Sequence, residues 1–89
     1  MVKIYKEYLP IKPNTPIYTA LQGELITVEE QQNHIVAYFD ANSQYYHKYN
    51  IYMVETGKEV DVGRNAKYLK TIMFLEGNYV VHIYVEEIE

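Results

Sequence analysis

The stretch that most constrains the fold is Lys67 to Ile88, KYLKTIMFLEGNYVVHIYVEEI, in which two β-branched and aromatic runs flank Glu76-Gly77-Asn78. A tight Gly/Asn turn between such runs predicts a β-hairpin. With a two-residue loop at Glu76-Gly77 or Gly77-Asn78, even positions of the first strand lie beside odd positions of the second. Alternation across the pleat then puts Ile72, Phe74, Val81, Ile83 and Val85 on one face. Thr71, Met73, His82, Tyr84 and Glu86 take the other. The first face is a core surface, and an isolated hairpin is marginal in water, so the rest of the chain must cover it.

The upstream text supplies more strands. Val2 to Leu9 alternates loosely. Pro10, Pro13 and Pro16 exclude a central strand or helix interior there, so Pro10 to Pro16 reads as an extended connection and Ile17 to Leu21 as a short edge strand. In Glu24 to Gln31, alternation points Ile26 and Val28 one way, Leu25 and Thr27 the other. Gln32-Asn33 suits a tight turn. His34 to Asp40 is apolar on both faces, the mark of a central strand. After the polar loop Ala41 to Gln44, the run Tyr45 to Glu55 sets Tyr45, Tyr49, Ile51 and Met53 on one face. Tyr46, Lys48, Asn50 and Tyr52 form the wetter side. Thr56 to Asn65 is the longest loop, with room for a single helical turn near Asp61 to Lys67. No window has a 3.6-residue period. The expectation is one all-β domain over residues 1–89, a small antiparallel sheet curled into a roll, a barrel or a two-layer sandwich.

Eleven tyrosines against two Phe and no Trp suit half-buried sheet surfaces and binding faces alike. The absence of Cys excludes disulfides, thiolate metal sites and a thiol nucleophile. No apolar run is long enough for a signal peptide or a membrane span, so a cytoplasmic protein with no membrane partner is expected. The net charge of −4 disfavours nucleic acid, which needs cations facing its phosphates.

The opening Lys3-Ile4-Tyr5-Lys6 with Leu9, then Thr56-Gly57, Tyr68-Leu69-Lys70-Thr71 and Val80-Val81-His82-Ile83-Tyr84 resemble a family of short proteins encoded mainly by bacteriophages. Two departures stand out: Glu7 interrupts the opening motif, and Lys70 stands where Gly is usual before Thr71. The resemblance implies a phage or prophage origin and a cytosolic, non-virion accessory role in the host cell. By analogy with small phage accessory proteins, it also implies the inhibition of a host factor such as an antiviral system. It carries no catalytic residues. The residues themselves lead to the expectation of a non-enzymatic binding protein.

Chemistry is sparse. Asp40, Ser43 and His47 could be drawn as a triad, but nothing resembles a nucleophile elbow, and Asp40 and Ser43 suit a turn. His34, His47 and His82 fall on three strands without metal-ligand spacing, so neither a metal nor another cofactor is expected. His82 is notable for its non-core position beside Met73 and Tyr84. Glu29-Glu30 and Glu86-Glu87 are adjacent on strands and point to opposite faces, so they make no acid/base pair.

Two binding surfaces remain. The face Tyr46, Lys48, Asn50 and Tyr52 suits docking on a host protein. Alternatively, Arg64, Lys67 and Tyr68, with Lys58 and Lys70 in reach, suit a small phosphorylated or nucleotide-like ligand: two cations and an aromatic for stacking. A pocket gathering Arg64 and Lys67 with aromatic walls would favour the ligand, and a flat Tyr patch the protein. Apolar sheet edges also leave a homodimer open.

Overall fold

A computed structural model of the chain describes residues 1–42 and 44–88; Ser43 and Glu89 lie outside the described residues. The strands are β1 (Ile4–Leu9), β2 (Pro16–Leu21), β3 (Glu24–Gln31), β4 (His34–Asp40), β5 (His47–Glu55), β6 (Lys67–Phe74) and β7 (Tyr79–Ile88). They form two antiparallel sheets, one ordered β1-β4-β3 and the other β2-β5-β7-β6. Of the architectures open from sequence, the two-sheet one is realised, and neither sheet closes into a barrel.

The core lies between the sheets. Ile35, Ala37 and Phe39 of β4 meet Tyr49, Ile51 and Met53 of β5 and Ile72, Phe74, Val81 and Ile83 of the last two strands. The face expected of the C-terminal hairpin is therefore the buried one, with Val85 packed against its margin. β4 is central as its composition requires: Val36, on the opposite face from Ile35 and Ala37, is also fully buried. The Gln32-Asn33 turn forms with both residues at positive φ.

Local expectations fail at four points. The last hairpin turns over four residues, Leu75 to Asn78, because Phe74 pairs with Tyr79 and the Asn78 amide donates to the Leu75 carbonyl at 3.1 Å. No helical turn forms near Asp61 to Lys67; the segment bends at Arg64-Asn65, with Asp61 Oδ1 accepting from the Gly63 amide at 3.1 Å. β5 starts at His47, which leaves Tyr45 outside the strand and exposed. In β3 the pairing skips Ile26, so Leu25 and Val28 turn toward the core while Ile26 is 49% exposed.

A candidate ligand cleft between two bulged edge strands

β3 and β6 are edge strands of different sheets, and they face each other along one side of the sandwich. Each carries a bulge. Ile26 is the extra residue between Leu25, opposite Phe39, and Thr27, opposite Tyr38. Leu69 is the extra residue between Tyr68, opposite Tyr84, and Lys70, opposite Ile83. An extra residue bends a strand and sharpens its twist. On one side of the bulges the strands are pinned together: Lys70 Nζ donates to both Glu29 oxygens at 2.6 and 2.7 Å. The Leu75 amide also reaches Asn33 Oδ1 at 3.4 Å. On the other side they part, and a cleft of about 680 Å³ opens, lined by Leu25, Ile26, Tyr68 and Leu69 of the bulges themselves.

The cleft gathers Arg64, Lys67 and Tyr68. The tight bend of residues 63–66 brings Arg64 to the same cleft as the start of β6, with the Ala66 amide on the Gly63 carbonyl at 3.4 Å. Among the described residues neither Arg64 nor Lys67 has a side-chain hydrogen bond or ion pair. Tyr68 meets Tyr84 edge-on with ring centres 5.7 Å apart. Lys58 and Lys70 do not join them: Lys70 is held by Glu29, and Lys58 lines a separate, smaller cleft with Thr56 and Tyr79.

Three further groups of this cleft escape a strand-by-strand reading of the sequence. Tyr49, 3% exposed, crosses from β5 so that its hydroxyl accepts the Leu25 amide at 2.9 Å, where the bulge begins. Burial pushes the Tyr49 phenol up. The Leu25 bond opposes that, and the charges of Glu87 and Glu24 add to it. Glu24 and Glu87 complete the lining. One Glu87 oxygen lies 3.1 Å from His47 Nδ1. Long-range pairing brings these residues together, so no local spacing could have signalled them.

A chain of polar contacts leads away from Tyr68. Its hydroxyl lies 2.7 Å from Thr71 Oγ1, which is 2.9 Å from His82 Nδ1. His82 Nε2 in turn lies 2.9 Å from Thr56 Oγ1, at the root of the long loop. His82 is thereby a structural tie between the cleft wall and that loop.

The tyrosine face of β5 is less open than its alternation suggests. Tyr46 is 64% exposed but precedes the strand; Lys48 is exposed and Asn50 half-buried. Tyr52 is only 6% exposed. Its row across the sheet is filled by Pro16, Tyr84 and Tyr68, and the long loop folds back over this face. A Cβ at Gly63 would lie 3.0 Å from both Glu86 oxygens, which shows how closely the loop approaches. Burial raises the Tyr52 phenol, with Glu86 and Asp61 contributing. An open four-residue patch is thus corrected to Tyr46, Lys48 and Asn50, with Tyr18 of β2 opposite Asn50 and 58% exposed.

The remaining titratable groups serve local structure. Asp40 Oδ1 accepts the Asn42 amide at 3.2 Å, a turn contact, and Ser43 of the sketched triad is outside the described residues. His34 packs on Tyr8 with ring centres 5.6 Å apart. Among the described residues no cluster of three His, Asp or Glu side chains could hold a metal ion. Among the described residues no helix is long and apolar enough to cross a membrane.

Glu55 anchors the proline-rich connection through Asn14 Nδ2 at 2.7 Å, and Asn14 Oδ1 accepts the Glu55 amide at 3.0 Å. Burial, then a hydrogen bond with Glu55 and its charge, push the Tyr79 phenol up to about 12. The folded state therefore keeps this proton after the unfolded chain has lost it. The associated stability is complete below pH 10.0 and is lost as pH rises through about 12. Tyr79→Phe should remove a late-ionising component from the phenolate absorbance titration. It should also flatten the fall in stability over that alkaline window.

The fold is a small two-sheet β-sandwich with a cleft at one edge. The chain belongs to the family described as Domain of unknown function (DUF7352), which matches residues 1–89. No curated protein matches the chain, and no solved structure does either.

Proposed function

We propose that this chain is a non-enzymatic binding protein that captures a small phosphorylated, nucleotide-like ligand in the cleft between β3 and β6. The observation that carries this reading is the convergence of Arg64, Lys67 and Tyr68 on one cleft with both cations unpartnered among the described residues. Guanidinium and ammonium groups are the usual phosphate donors, and Tyr68 lies at the margin of the cleft. Tyr49 supplies a second aromatic wall. The bond from the Leu25 amide to the Tyr49 hydroxyl ties β5 to the β3 wall of the cleft.

We assign the protein to a bacteriophage and its action to the cytoplasm of the infected bacterium, on the resemblance carried by Lys3-Ile4-Tyr5-Lys6, Thr56-Gly57 and the last two strands. Sequestering a nucleotide there would silence a host response, an anti-defence role. A second reading is docking on a host protein, favoured by the exposure of Tyr18 and Tyr46 beside Lys48 and Asn50.

Native mass spectrometry of the protein purified from a bacterial lysate tests both readings. Ligand capture predicts a retained mass of nucleotide size that disappears in Arg64→Ala. An intact protein without small ligand, bound instead to a host protein and released by Tyr46→Ala, would replace capture with docking.

A further inference from the structure

We infer that the cleft reads a guanine base, making the ligand a guanine nucleotide; this rests on the nucleotide reading above and narrows it. Arg64 and Lys67 only donate hydrogen bonds, whereas the carboxylates of Glu24 and Glu87 only accept them. All four groups line one cleft, and no ion pair joins them. A simple phosphate would satisfy the cations and be repelled by the carboxylates. The matching ligand is anionic at one end and carries N–H donors at the other.

Tyr49 adds the third element. Its hydroxyl accepts the Leu25 amide, and its own hydrogen has no acceptor among the described residues, although the side chain is almost wholly buried. The two carboxylates near Tyr49 reinforce the effect of burial in keeping that proton in place. The cleft therefore offers one O–H donor beside acceptors. Glu24 is the better reader, because neither of its oxygens has a partner among the described residues, whereas Glu87 engages His47.

Guanine presents the complement along one edge: a carbonyl acceptor, a ring N–H and an exocyclic amine. Tyr49 donates to the carbonyl, and Glu24 accepts from the two nitrogens in bidentate fashion. Adenine would turn a ring-nitrogen lone pair toward the carboxylate. Uracil brackets its single N–H with two carbonyls, and cytosine sets a lone pair beside its amine. Arg64 and Lys67 then take the phosphate.

Calorimetric titration with GMP, AMP and inorganic phosphate tests the inference. GMP should bind at least about tenfold more tightly than AMP, the usual scale for a bidentate base contact. In Glu24→Gln, an exposed position where the fold should be retained, the two nucleotides should fall within about twofold of each other. Equal binding of GMP and AMP by the unsubstituted protein, or an unchanged preference in Glu24→Gln, overturns guanine reading and leaves nucleotide capture standing. No binding of either nucleotide or of phosphate overturns both.

Discussion

Gly23→Ala should lower stability by about 3 kcal/mol or more, at the upper end of what an overpacked site costs. Gly23 sits in the two-residue corner through which the chain leaves β2 of one sheet and enters β3 of the other. A Cβ placed on it would lie 1.6 Å from the Asp40 carbonyl oxygen and 2.5 Å from the Asp40 carbonyl carbon. The obstruction is backbone, which cannot rotate aside as a side chain can. Nor can Asp40 retreat freely, since it pairs with Ile4 on one side and Glu24 on the other. The adjacent Ala41 amide is fixed on the Lys3 carbonyl at 2.7 Å. Relief must loosen one end of the three-stranded sheet.

Gly77→Ala provides the contrast. Its φ of +85° strains an alanine, yet nothing lies within 4 Å of the added carbon, so about 1 kcal/mol is expected. For a domain of this size each 1 kcal/mol moves the melting temperature by roughly 4–8 °C. Thermal or urea denaturation should therefore separate the two substitutions clearly.

The same corner shows where reading the sequence succeeds and where it stops. Gln22-Gly23 is legible as a turn, because Gly is the usual residue of tight bends. That the turn changes sheets and presses on Asp40 depends on partners far along the chain. Strands obeying strict alternation could be read to the residue: Ile72, Phe74, Val81 and Ile83 are buried together because nothing interrupts their period of two down to the turn. Ile35, Val36 and Ala37 show the continuous burial that an unbroken apolar run implies.

The bulges defeat that logic. One residue at Ile26 shifts the phase, so that Leu25 joins Val28 inside instead of opposing it. Local text does not mark an extra residue. The site divides along the same line. Arg64, Lys67 and Tyr68 are neighbours in sequence and were legible as a group, whereas Glu24, Tyr49 and Glu87 reach them only through sheet pairing. Tyr52 looked open because alternation says which face a side chain takes, not whether a loop folds over it.

Deleting Ile26 should weaken ligand binding at least about tenfold while leaving the fold intact. Both halves of that expectation follow from the pairing. Leu25 already lies opposite Phe39 and Thr27 opposite Tyr38, so removing the residue between them leaves the other partners in register. Ile26 is half exposed, and its loss gives up little buried apolar area. What disappears is the bend that turns β3 away from β6. With β3 straight, the cleft narrows toward the spacing set by the Glu29–Lys70 ion pair, and displacements of about 1 Å are enough to lose well-oriented contacts. Deleting Leu69 should act from the opposite wall, also with register kept between Tyr68 and Tyr84 and between Lys70 and Ile83. It should cost more stability than deleting Ile26, because Leu69 packs against the core. Calorimetry with GMP alongside urea denaturation separates these effects. Lost affinity with nearly unchanged stability in the Ile26 deletion would show that the bulge shapes the site. Unchanged affinity would mean that the cleft does not depend on the bend.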